Sequence, residues 1–244
     1  MNLKRASLAS STSAYASTTT SSFSLFFFFT LFFSRNNAQA VVDTYGDPIT
    51  AGDGEYFNIQ PPVIGLDIGG GLRLGKTGYS RCSNTVLQDP NYLVTGIPVK
   101  FTNLRPVVSG DDNQILEGSP LEIEFVESEK PDCVESSKWE VFIDYHLKRA
   151  YIGIGGKDDH PGSSEPLKGT FRIKNVGLKD NVYKLEFCGT GLPSCFVVSK
   201  YDNSRDDDGG ERLVLANYDP FTFIFVKKQS SIPSIKLLAS PLAN

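Results

Sequence analysis

Tyr183-Lys184-Leu185-Glu186-Phe187-Cys188-Gly189-Thr190-Gly191-Leu192-Pro193-Ser194-Cys195 is the stretch on which the reading of the fold turns. Its first five residues alternate apolar and charged, the period-two pattern of a strand with one buried face. The two cysteines then enclose six residues containing two glycines and a proline, a composition suited to a bend between two short strands. Four cysteines allow three pairings. Cys188–Cys195, closing that hairpin, is the natural one, and Cys82–Cys133 follows by elimination with 50 residues between its ends. A metal site is the weaker reading, because His146 and His160 are not spaced with the cysteines and no Cys-x-x-Cys occurs.

Short runs of the same kind recur outward from this hairpin. Residues 56–59, 71–74, 121–125, 139–143, 151–154, 171–174 and 221–225 are alternating or aromatic and β-branched. Turn residues separate them. Beyond residue 40, no ten-residue stretch free of Gly and Pro holds a 3.6-residue apolar period. With 22 Gly and 14 Pro in the chain, the pattern predicts an all-β protein, either barrel or sandwich.

The first 40 residues carry Lys4, Arg5 and Arg35 and no acidic residue. A Phe-rich apolar run over 23–33 fits a signal-peptide core and is too short to span a bilayer. Ala38-Gln39-Ala40 offers small residues where a signal peptidase reads, predicting residues 1–40 as a signal peptide cut at Ala40–Val41. The expected locations are extracellular or vacuolar, where disulfides persist. Residues 41–244 then form one domain, with a loose tail from about 230. It holds 21 basic against 28 acidic side chains, a net charge of −7. An acidic domain does not suit nucleic acid or an anionic membrane. No cofactor is implied, and a monomer is expected.

Several segments together resemble a known family. The opening Val42-Asp43-Thr44-Tyr45-Gly46-Asp47-Pro48-Ile49 is followed by Gly54-Glu55-Tyr56-Phe57-Asn58-Ile59. Gly69-Gly70-Gly71-Leu72-Arg73-Leu74 comes next, and Cys82 precedes Thr85-Val86-Leu87-Gln88. Tyr183 to Cys188 and Arg212-Leu213-Val214-Leu215 complete the set. They are similar to the plant Kunitz-type inhibitors of the soybean trypsin inhibitor family, legume members above all. The resemblance implies a β-trefoil of twelve strands in three pseudo-repeats, with both disulfides paired as above. It further implies a serine protease as partner, bound through one exposed, substrate-like loop.

That loop corresponds to about residues 102–117. Counting forward from Gly96 reaches Arg105-Pro106, and counting back from Pro120 reaches Asp111. The candidate reactive residues are therefore Leu104, Arg105, Pro106, Val107, Val108, Asp111 and Asp112. Proline after Arg105 obstructs attack, and Asp111-Asp112 would repel the carboxylate of a trypsin pocket. Leu104, Val107 and Val108 suit an apolar pocket. Potent family members carry an Asn near the N-terminus that braces the loop, whereas Ala51 or Gly52 stands at the matching position. A less rigid loop and weak trypsin inhibition are expected. The larger disulfide ring encloses the loop and is expected to anchor it.

Other classes find less support. His160, in a turn-like segment, and His146, among strand-like residues, read as structural or solvated, and no Gly-x-Ser-x-Gly elbow or phosphate loop occurs. Asp206-Asp207-Asp208-Gly209-Gly210 lacks the ligand spacing of a calcium loop and reads as a hairpin turn. The chain is therefore not expected to be an enzyme or to hold a metal. The alternatives are a carbohydrate-binding trefoil, for which the single Trp139 reads instead as core, and a non-inhibitory storage or defence protein.

Overall fold

Five of the runs, joined by Val99–Asn103, close into a barrel, because each has one apolar face that only an interior can bury. The computed structural model describes residues 38–62, 69–105, 113–177, 181–202 and 209–228, and twelve strands lie among them in three sets of four. The first set is β1 (Phe57–Gln60), β2 (Leu72–Gly75), β3 (Thr85–Gln88) and β4 (Val99–Asn103). The second is β5 (Leu121–Phe125), β6 (Trp139–Asp144), β7 (Arg149–Ile154) and β8 (Gly169–Asn175). The third is β9 (Tyr183–Gly189), β10 (Phe196–Asp202), β11 (Glu211–Ala216) and β12 (Thr222–Lys227).

The outer strands of each set pair antiparallel in the ring β12-β1-β4-β5-β8-β9, which closes through β9–β12. Closure leaves the barrel without a free edge. The inner strands form the hairpins β2–β3, β6–β7 and β10–β11. Strands β3, β7 and β11 contact one another pairwise, so the three hairpins converge at one end of the barrel. The architecture is a β-trefoil, as the resemblance implied. The predicted strands fall on observed ones, with ends differing by at most two residues, the usual uncertainty of strand boundaries.

The alternation of β5 shows the cause at residue level. Leu121, Ile123 and Phe125 are fully buried, while Glu122 and Glu124 between them pair with Lys138 and Lys100. Phe225 of β12 is the aromatic hub of the barrel, with the rings of Phe57, Phe101, Tyr183 and Phe223 at 5.1–6.4 Å. Trp139 is buried between Phe125 and Phe171, a core residue as expected. The glycine cluster serves packing. Gly71 donates from its N–H to the Val94 carbonyl at 2.7 Å, and a Cβ there would stand 2.1 Å from the Thr95 carbonyl oxygen.

Both disulfides pair as predicted. The larger does not anchor the candidate loop. Cys133 follows the Phe125 end of β5, whereas the loop enters β5 at Leu121. Cys82–Cys133 therefore ties the first hairpin to the β5–β6 connection, on the hairpin side of the barrel.

Candidate functional site

Strands β4 and β5 pair from Val99↔Phe125 to Asn103↔Leu121. Thr102 and Asn103, assigned to the loop from sequence, are thus strand residues held by Glu122 and Leu121. The connection leaves the strand at Leu104, whose N–H donates to the Pro120 carbonyl at 3.1 Å and whose side chain is 41% exposed. Pro106, Val107, Val108, Asp111 and Asp112 lie outside the described residues, as do Asp206-Asp207-Asp208, though the strands flanking the latter pair at Asp202↔Glu211.

The returning limb is docked, because Ile115 is apolar and belongs to the core. It is fully buried. Its N–H donates to the Ile49 carbonyl at 2.8 Å, and its own carbonyl accepts from the Val41 N–H at 2.9 Å. Gln114 and Leu116 bridge to Thr50 and Ala40. The segment 40–51 therefore lies against the return limb of the loop.

Polar side chains then tie the base together. Asn113 sits in the left-handed region, at φ 56°, which an Asn tolerates better than most residues. Its Nδ2 donates to the Ala51 carbonyl at 2.6 Å, and the Ala51 N–H donates to the Asn113 carbonyl at 2.9 Å. Arg105 is half-buried and folds back. Its Nη2 donates to the Gln114 carbonyl at 2.9 Å, and its N–H donates to Asn103 Oδ1 at 3.2 Å. The N-terminal segment offers no hydrogen-bonding side chain at Ala51 or Gly52. The brace is instead inverted: an asparagine on the loop reaches the backbone of that segment, and the base is clamped where sequence alone suggested slackness. Sequence reasoning missed Asn113; its signal was an asparagine two residues before an isoleucine that the core demands.

Arg105 is consequently a positioning residue in the loop base, and Leu104 is the candidate residue that projects. The hydrophobic side chain exposed here is what an apolar pocket takes; the guanidinium engaged across the base is not what a trypsin pocket takes.

The histidines behave differently from each other. His146 lies exposed in the β6–β7 turn rather than among strand residues, because Asp144 Oδ1 accepts the N–H groups of His146 and Leu147 and shapes a turn there. His160 is buried, stacked on Phe142 with ring centroids 3.8 Å apart. Its Nε2 faces the Ile154 carbonyl at 2.8 Å, so that nitrogen carries the proton. Nδ1 then accepts from the Tyr151 hydroxyl at 2.9 Å, and Ser163 donates to the same oxygen. Burial lowers the His160 pKa and pushes the Tyr151 phenol up to about 12. Every polar atom of this triad has a hydrogen-bond partner within the fold.

The described part of the site is a capped six-stranded barrel whose β4–β5 connection is tied at its base and leaves the strand at an exposed Leu104. The family model for plant Kunitz inhibitors, described as "Trypsin and protease inhibitor", matches residues 41–227. A subtilisin inhibitor of Canavalia lineata, CLSI-II, is 41% identical over 191 residues, covering 78% of this chain and 93% of that protein. The crystal structure of a Kunitz-type trypsin inhibitor from Cicer arietinum superposes with a TM-score of 0.69 at 41% identity, over 78% of this chain and 99% of that one. Soybean trypsin inhibitor in complex with porcine pancreatic trypsin matches with a TM-score of 0.64 at 27% identity, over 78% of this chain and 100% of that one. The chain belongs to the Kunitz-type protease inhibitor family of legumes.

Proposed function

We propose that the protein inhibits a serine protease with an apolar specificity pocket, offering residues 104–112 as a substrate-like segment with Leu104 as its described apolar contact. The observation that carries this is the division of labour at the loop base. Asn113 and Arg105 hold both limbs, while Leu104 stands in solvent. A loop held in its bound shape loses little entropy on association, which converts more of its contact energy into affinity. Trypsin is a poor target, since Arg105 is engaged in the base and precedes Pro106.

Subtilisin and trypsin, the proteases named for the relatives above, are the discriminating pair. The purified protein inhibits subtilisin, Leu104→Asp weakens that inhibition at least about tenfold, and bovine trypsin is inhibited weakly or not at all. A nanomolar inhibition constant against trypsin, abolished by Arg105→Ala, overturns the assignment.

Export through residues 1–40 is the second part of the proposal. Cleavage after Ala40 leaves Val41, which is fully buried, as the first residue. The Gln39 carbonyl accepts the Glu117 N–H at 2.8 Å, and Ala40 bridges Leu116. N-terminal sequencing of the exported protein supports the site if it begins at Val41; a start at or before Gln39 moves it upstream. Among the described residues no helix is long and apolar enough to cross a membrane.

A further inference from the structure

The hairpin end of the trefoil, away from the loop, contains a cavity of about 800 Å³. Its floor is apolar. Ile143 and Ala150 come from the second hairpin, Leu167 from the approach to β8, and Phe196 and Leu215 from the third hairpin. Ala150, Leu167 and Leu215 pack on the main core, so the cavity is an opening in the core's own edge. The bend between Cys188 and Cys195 forms one lip through Gly189, Thr190 and Leu192, and the short disulfide closes the base of that lip.

The rim has one sign of charge. Lys148, Arg149 and Lys168 all line it, and all three are exposed. None forms an ion pair among the described residues. Arg149 is held over the Tyr201 ring at 4.6 Å. Lys148 occupies the β6–β7 turn at φ 52°, and the Lys168 carbonyl accepts the Thr190 N–H at 2.7 Å. Asp144, the carboxylate in register with Arg149, is committed to the turn N–H groups and to Arg212. Three cations without counter-ions among the described residues, around an apolar floor, are unexpected on a chain whose net charge is negative. Both the floor and the rim are complementary to a single kind of molecule.

We propose that this cavity binds a small amphipathic organic anion, an apolar chain or ring bearing one carboxylate or sulfonate. The apolar body enters between the second and third hairpins, and its head group lies among Lys148, Arg149 and Lys168. The described base of the candidate loop lies by the Leu121 end of β5, whereas the hairpins follow the Phe125 end.

The test uses decanoate below its micellar concentration, with decylammonium as a control of equal apolar length, followed by amide NMR on the purified protein. Decanoate is expected to shift the signals of Ala150, Gly189, Thr190 and Leu192 saturably at one-to-one stoichiometry, with decylammonium at least about tenfold weaker. The variant Lys148→Glu/Lys168→Glu alters exposed side chains only. It is expected to keep its spectrum and to weaken decanoate binding by about tenfold or more. Equal affinity for the two amphiphiles, binding undiminished by the charge reversal, or an absence of saturable shifts at these residues overturns the proposal.

Discussion

Asn113 offers a substitution series whose order, and not only its size, tests the clamp. Removing its side-chain amide breaks the 2.6 Å bond to the Ala51 carbonyl, a loss of about 1 kcal/mol. Alanine must also adopt the φ of 56° found there, which adds about 1 kcal/mol for a residue with a Cβ and no side-chain hydrogen bond. Glycine loses the bond without that second term. Asn113→Ala therefore destabilises the loop base by about 2 kcal/mol and Asn113→Gly by about 1 kcal/mol. In a local opening equilibrium these are factors of about thirty and about five. Native-state hydrogen exchange reads them directly, because the Ala51 N–H donates to the Asn113 carbonyl and exchanges when the base opens. Its exchange is expected to accelerate by about thirtyfold in the alanine variant and about fivefold in the glycine variant. The Ile123 amide, inside the barrel ladder, is expected to change far less in either. Inhibition of the target protease weakens in the same order. A glycine variant as fast as the alanine one, or faster, refutes the left-handed-backbone contribution, and a glycine variant that exchanges no faster than the unsubstituted protein refutes the contribution of the amide bond.

Truncating the aromatic hub, Phe225→Ala, is expected to cost about 3–5 kcal/mol and to lower the thermal midpoint by about 10 °C, measured by calorimetry; a loss under about 1 kcal/mol would show that its four ring contacts are replaceable. The loop-entropy model assigns about 4 kcal/mol to Cys82–Cys133 and about 2.5 kcal/mol to Cys188–Cys195, so Cys82→Ser/Cys133→Ser is expected to lower the urea midpoint more than Cys188→Ser/Cys195→Ser does. Burial holds His160 below its ordinary pKa of 6.5, so the unfolded chain takes up that proton first as the pH falls. The stabilisation is complete above 6.5 and is lost as the pH descends toward the folded-state pKa. Urea unfolding at pH 7 and pH 5 is expected to show a smaller loss for His160→Gln than for the unsubstituted protein, and an equal loss refutes the assignment.

The barrel was legible in the amino-acid sequence because its specification is repeated and local. Leu121-Glu122-Ile123-Glu124-Phe125 and Tyr183-Lys184-Leu185-Glu186-Phe187 each declare a buried face by alternation alone, and the observed burial follows it residue by residue. The choice of trefoil over sandwich lies in which strands pair at long range, and it came from resemblance rather than from period. Trp139 was read correctly because an indole in a β-branched run has few destinations other than a core.

The clamp was not legible for the opposite reason. Asn113 and Ala51 are 62 residues apart, and the Arg105 guanidinium reaches the backbone carbonyl of Gln114, so no local pattern marks either contact. The Arg105 side chain invited a specificity role because charge is visible in a sequence, whereas the carbonyl of Gln114 that captures it is common to every residue. The same asymmetry explains how one barrel can present different loops. Its core is set by side chains facing inward from the strands, with Val41, Ile49 and Ile115 beside them, and neither Leu104 nor Arg105 is among them. Changes at Leu104 or Arg105 alter what the protein binds without opening a void in what holds it together. The exceptions are the positions that belong to both systems. Ile115 fills the core while its neighbours Asn113 and Gln114 tie the loop base, so substitutions at Ile115 are expected to reduce stability and inhibition together, whereas Leu104 affects inhibition alone.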